Sequence, residues 1–184
     1  MAVDDQRYIE TLYGFHPDDW TFSWGDIVDT HYLLDREFID EACSSTDSSS
    51  ATNDLVFIYP FYFKNIYFIE GVIKGQITYA AEGDDAHIDA YKITLYKVNI
   101  DITTTELATT GWVEVNDTLV WDDELSVGDE IVYPFWIDVW QKKDVFGKDR
   151  LYIKIETKCN NNTVLMHRVG TETIDLKIEI PIRG

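Results

Sequence analysis

The chain has few of the residues that build covalent scaffolds, nucleotide sites or hydrolytic centres. Its two cysteines, Cys43 and Cys159, are too few for a disulfide framework and too far apart for a CxxC motif. The ten glycines stand singly, so no glycine-rich phosphate loop is present. No GxSxG or SxxK motif occurs, and the four histidines lack zinc-ligand spacing. We therefore predict no catalytic residue, no cofactor and no metal site, and we expect that the chain is not an enzyme.

Basic residues are scarce as well: 15 Lys and Arg stand against 34 Asp and Glu, a formal net charge of −19. A surface this negative repels phosphate, which makes nucleic acids and anionic membranes poor partners. Long hydrophobic runs are also missing, because no stretch reaches the ~20 apolar residues that a membrane-spanning helix needs. Met1–Asp5 lack the basic and apolar parts of a signal peptide. We expect synthesis in the cytoplasm and no export by a signal peptide.

What the sequence does have is a clear division into three parts. Residues 44–54 are mostly serine, threonine, aspartate and asparagine, which is typical of a linker or a long surface loop. They separate an aromatic-rich N-terminal arm, residues 1–43, from a larger domain at 55–184. Apolar residues at helical spacing predict a short helix over 26–42, with Asp26 as its cap. The arm's apolar surface must pack either on its own chain or on a neighbouring subunit.

The larger part has the pattern of successive β-strands. Over Thr173–Ile182 the even-numbered residues Ile174 to Ile182 are apolar, and the residues between them are mostly polar, which predicts a strand with one buried face. Comparable segments recur about every ten residues, and no helical segment intervenes. This spacing predicts an all-β fold, an antiparallel β-sandwich of jelly-roll or immunoglobulin-like type. Pro134 within a hydrophobic run predicts an edge strand or a bend, since proline lacks the ladder donor.

Two kinds of residue could form a binding surface. Acidic turns occur at 82–89 and 117–124, where loop oxygens could hold calcium, although solvated turns explain them more simply in so acidic a protein. Trp136 and Trp140 share one face of a predicted strand; burial in the core is the simpler interpretation, and exposure for stacking on sugars is the alternative. The possible interaction surface that we predict consists of Tyr8, Tyr13, Phe15, Trp20, Trp24, Trp112 and Trp136.

The acidic sandwich with an aromatic arm and a serine-rich connector is similar in style to structural proteins of virus and phage particles. That similarity implies a non-enzymatic capsid, decoration or tail-associated component, located in the virion. Its partners would be other copies of itself or other virion proteins, with no nucleic acid and no membrane. The alternative is a β-sandwich module that binds carbohydrate or a cell surface, with glycan as a possible partner.

Overall fold

The computed structural model describes residues 7–15, 32–36, 52–59, 63, 66–81, 85–125, 127–145, 147–159 and 176–183. All regular structure in these ranges is β. The strands are β1 (Arg7–Phe15), β2 (Tyr32–Asp35), β3 (Thr52–Ile58), β4 (Tyr67–Ala80), β5 (Ala86–Val98), β6 (Thr104–Thr109), β7 (Val113–Leu119), β8 (Trp121–Asp122), β9 (Val127–Gly128), β10 (Glu130–Val145), β11 (Arg150–Cys159) and β12 (Leu176–Arg183). No helix among the described residues is long and apolar enough to cross a membrane.

Ten of these strands form one sheet that folds back on itself. Their order is β10-β4-β12-β1-β2-β3-β11-β5-β6, and β7 pairs with β5 beside β6. The described pairings are antiparallel except for the short parallel pair of β2 with β3. Strands β10 and β6, from opposite ends of the order, contact each other. The layers β10-β4-β12-β1 and β3-β11-β5-β6/β7 therefore face one another, which confirms the prediction of an all-β, mainly antiparallel sandwich.

The core lies between the two layers and follows the alternation of the strands. On β12 the four apolar side chains of one parity are buried, as the sequence predicts: Leu176, Ile178, Ile180 and Ile182. One hydroxyl pair and one aromatic pair also join the layers. The Tyr79 hydroxyl on β4 lies 2.6 Å from the Thr157 hydroxyl on β11, and the Tyr91 ring on β5 stacks on Tyr133 of β10 with centroids 5.4 Å apart. These contacts fix the spacing of the layers.

The N-terminal residues that the structure describes belong to the sheet. β1 pairs with β12 on one side and β2 on the other, and β2 continues to β3. These residues therefore pack on their own chain. The Arg36 guanidinium, just after β2, donates a hydrogen bond to the buried Glu10 carboxylate of β1. This charge-assisted bond helps to fix the short strand against its neighbour.

The helix predicted over 26–42 is wrong at its centre, because Tyr32–Asp35 form β2. Backbone pairing with two neighbouring strands, together with burial of Leu34, outweighs the helical spacing of the apolar residues. Apart from Arg36, the rest of 26–42 lies outside the described residues. β3 begins at Thr52, inside the predicted connector 44–54, because ladder pairing to β11 uses backbone groups whatever the side chains are.

Buried tyrosines predict sensitivity to alkaline pH. Burial, with a smaller contribution from the stacked Tyr96, raises the pKa of Tyr152 from 10.0 to about 12. Burial also raises the pKa values of Tyr79 and Tyr133. A raised folded-state pKa means that the unfolded chain loses these protons first, so the stabilisation is complete below pH 10 and is lost as the pH rises towards 12.

We expect unfolding to accompany phenolate formation as the pH is raised above about 10. The measurement is a titration of phenolate absorbance alongside far-ultraviolet circular dichroism. Tyr152→Phe should reduce the pH dependence of the unfolding free energy in this range. If all eleven tyrosines ionise near pH 10 while the strand signal persists, the prediction is wrong.

Candidate binding surface

The outer face of β10 carries a row of exposed hydrophobic side chains. Val132, Trp136 and Trp140 are spaced four residues apart, so they project from the same face of the strand. Their exposed fractions are 45%, 67% and 87%. We call these three residues the tryptophan stripe. At about 3.3 Å per residue, the Cα atoms of the two tryptophans lie roughly 13 Å apart.

The stripe is held on a rigid support. The alternate residues of β10, Phe135, Ile137 and Val139, are buried between the layers and anchor the strand. β10 ends the sheet order, so one of its edges has no pairing strand among those described. Pro134 lies on this edge strand, as its missing N–H predicts. Trp136 is therefore presented by a strand anchored in the core, whereas Trp140 lies where the pairing of β10 with β4 shifts register, between Val139 and Lys143.

Polar side chains lie beside Trp136 on the outer face of the sheet. Lys74 of β4 is directly opposite Trp136, and Gln76 is opposite Pro134. Asp138 lies between the tryptophans on their own face and is exposed. On the next strand Glu179 of β12 is opposite Lys74. Charges of both signs thus surround an apolar stripe, which differs from the strongly acidic average of the chain.

A small cleft opens beside Trp136, where β10 approaches the turn between β6 and β7. It encloses about 190 Å³ and is lined by Tyr91, Thr110, Val113, Pro134, Phe135 and Trp136. The Tyr91 hydroxyl donates to the Pro134 carbonyl oxygen across 3.4 Å, near the upper limit for a hydrogen bond. The Tyr91 phenol is protonated at neutral pH, and burial raises its pKa further above the ordinary value. The polar groups of the cleft are the Thr110 hydroxyl and the long-bonded pair of Tyr91 hydroxyl and Pro134 carbonyl, and its other walls are apolar.

Trp112 is arranged differently from the stripe. The ammonium groups of Lys158 and Lys92 lie 4.0 and 5.0 Å from its ring centroid. These cation–π contacts occupy the ring with partners from the chain itself.

The simpler expectation that Trp136 and Trp140 are buried is wrong. Pro134 and Asp138 are exposed and alternate with the buried residues of β10 in the same way as the two tryptophans. Their positions in the sequence could have shown that this face of the strand points outward.

Of the remaining predicted surface residues, Tyr8 and Tyr13 lie on β1, which is not paired with β10. Tyr8 packs edge-on against Tyr67, with ring centroids 6.3 Å apart. Burial is the largest cause that raises the pKa of Tyr8 to about 12. Tyr13 is half-buried on β1. The Phe15 side chain, Trp20 and Trp24 lie outside the described residues. Tyr91, which sequence reasoning did not single out, is brought to the stripe only by the facing of β5 and β10.

Two carboxylates of the acidic turns, among the residues that the structure describes, accept hydrogen bonds within the fold. Asp85 accepts a hydrogen bond from the Trp121 backbone N–H at 2.7 Å, and Asp122 accepts from the N–H groups of Glu124 and Leu125 at 2.9 and 3.0 Å. These bonds are typical of turn-forming aspartates. No group of three or more metal-ligating side chains is found within the described ranges.

Comparisons with known proteins give a likeness of fold. No family model matches the chain, and no curated protein matches it. Two crystal structures of a CocE/NonD family hydrolase from Staphylococcus aureus are similar, with TM-scores of 0.59 and 0.60 and 14% sequence identity. They cover 96% and 97% of this chain, which spans 37% of the length of each hydrolase chain. At this identity the similarity concerns the fold alone.

Proposed function

We propose that this chain is a non-enzymatic binding module that holds uncharged glycan chains along the tryptophan stripe. The observation that carries the proposal is the exposure of Trp136 and Trp140 on one face of β10, whose alternate side chains are buried. Exposed apolar surface rimmed by polar groups is typical of ligand-binding or interaction sites. A pyranose ring offers an apolar C–H face for an indole and hydroxyls for neighbouring polar side chains.

The charge of the chain favours an uncharged ligand. With a net charge of −19, the protein repels sulfated or carboxylated glycans at long range. Lys74, Gln76 and Asp138 beside the stripe supply donors and acceptors suited to hydroxyl groups. Neutral hexose or N-acetylhexosamine chains therefore match the surface better than acidic ones.

A virion component remains a prediction from the sequence, and the described surface gives no particular observation in its favour. A protein partner on the stripe is the competing class of ligand. The hydrolase name belongs to the larger similar chains. Our proposal assigns binding, without catalysis, to this chain.

Replacing Trp136 by alanine is expected to weaken binding to a neutral polysaccharide about tenfold. This corresponds to about 1.4 kcal/mol, a modest part of what burying an indole against a ligand contributes. The measurement is affinity electrophoresis or calorimetry with soluble glucans and chitin oligomers. Trp112→Ala is the matched control: its ring already contacts two lysines, so affinity should not change. Equal losses for both variants, or binding of no glycan by the wild-type protein, would contradict the proposal.

A further inference from the structure

The cleft beside Trp136 has the size of a site for a substituent. Its volume of about 190 Å³ is below the ~300 Å³ at which pockets for whole drug-sized ligands begin. It is also several times the ~30 Å³ share of one water molecule. A group carried by a larger ligand, which itself lies on the stripe, suits this volume.

The polar groups of the cleft define the chemistry of that substituent. Thr110 is already engaged, because its hydroxyl accepts from the Ile93 N–H at 3.0 Å and donates to the Gly111 carbonyl at 2.6 Å. The Tyr91 hydroxyl donates to the Pro134 carbonyl through the long 3.4 Å contact, so a ligand group can replace it with shorter hydrogen bonds. The matching ligand group presents one acceptor and one donor a short distance apart.

The apolar part of the cleft adds a third requirement. Val113 and Phe135 line it together with the Pro134 and Trp136 side chains. A small methyl group would lose its water contact there and gain dispersion contacts with these walls. The group that combines a carbonyl acceptor, an N–H donor and a methyl is the acetamido group.

We infer that the cleft binds the acetamido group of an N-acetylhexosamine whose ring stacks on Trp136. The Tyr91 hydroxyl donates to the acetamido carbonyl, the acetamido N–H is donated to the Pro134 carbonyl, and the methyl packs on Val113 and Phe135. Two hydrogen bonds of ordinary length replace one long one. This inference rests on the proposed function, because it assigns the ligand class to the same surface.

The test compares tetra-N-acetylchitotetraose, called chitotetraose below, with cellotetraose, which carries a hydroxyl at each C2 in place of the acetamido group. Calorimetry should show about a five- to tenfold preference for chitotetraose, the range that one additional net hydrogen bond with its methyl contact supplies. Saturation-transfer NMR should place the acetyl methyl protons among those closest to the protein. These two readouts are independent.

Tyr91→Phe should reduce the affinity for chitotetraose to that for cellotetraose and leave cellotetraose binding unchanged. Val113→Leu, which narrows the cleft, should have the same effect, and the thermal unfolding of both variants confirms that they fold. Equal wild-type affinities, or a preference that survives both variants, would overturn the acetamido site and leave the proposed function standing. Binding of neither oligosaccharide would overturn both.

Discussion

Replacing Gly75 by alanine is expected to destabilise the protein by about 3 kcal/mol, although it adds only one methyl group. Gly75 lies in the middle of β4, paired with Phe135 of β10 and Ile178 of β12. A Cβ atom at this position would overlap the Lys177 carbonyl oxygen and the Phe135 ring. Overpacking of this kind costs typically 1–3 kcal/mol and occasionally more, here at the upper end because a backbone atom must move. The entropic benefit of alanine over glycine in a strand, about 0.5–1 kcal/mol, is smaller.

The control is Gly111→Ala, at the turn between β6 and β7. Gly111 has φ +66°, and a Cβ there would meet no atom within 4 Å. Its substitution should cost only about 1 kcal/mol, from the left-handed backbone conformation. Urea denaturation of both variants measures the difference through the unfolding midpoints. If Gly111→Ala is the more damaging change, close packing of β4 against its neighbours is not what requires glycine at position 75.

The alternation of apolar and polar residues predicts much of this fold, in the strands that have one buried face and one solvent-exposed face. β12 alternates strictly, so its buried residues could be assigned from the sequence alone. β2 could not be found in this way. It is a four-residue strand whose position depends on β1 and β3, and its buried Leu34 also fits a helical pattern. Long-range pairing decided that segment, which local propensity does not report.

The candidate site was only partly predictable for a related reason. Both parities of β10 carry hydrophobic side chains, so the outward face is ambiguous unless Pro134 and Asp138 are weighed against Phe135 and Ile137. Trp136 was named as a surface candidate, whereas the role of Tyr91 depends on the approach of β5 to β10 in the folded chain. A cleft between two layers has no sequence spacing that could reveal it.

The double substitution Trp136→Ala and Trp140→Ala is expected to lower affinity for a long neutral glycan about 100-fold. Each indole contributes about tenfold to the affinity. The two losses of binding free energy should add, so the factors multiply, because the residues lie roughly 13 Å apart. Thermal stability should stay within ~0.5 kcal/mol of the wild type, since both side chains are mostly exposed. Calorimetry and thermal unfolding of the same samples provide the two measurements.

The length of the oligosaccharide ligand distinguishes binding of a glycan along the tryptophan stripe from binding of a protein to the same surface. With the wild-type protein, affinity should rise with oligosaccharide length until the chain reaches both rings, and then level off. With Trp140→Ala, the rise should end at shorter oligosaccharides, because only Trp136 and its cleft remain. Leu125→Ala is the control, as it removes another exposed apolar side chain, in the turn between β8 and β9. If affinity is independent of length in both proteins, the two tryptophans do not act as successive contacts on one glycan chain.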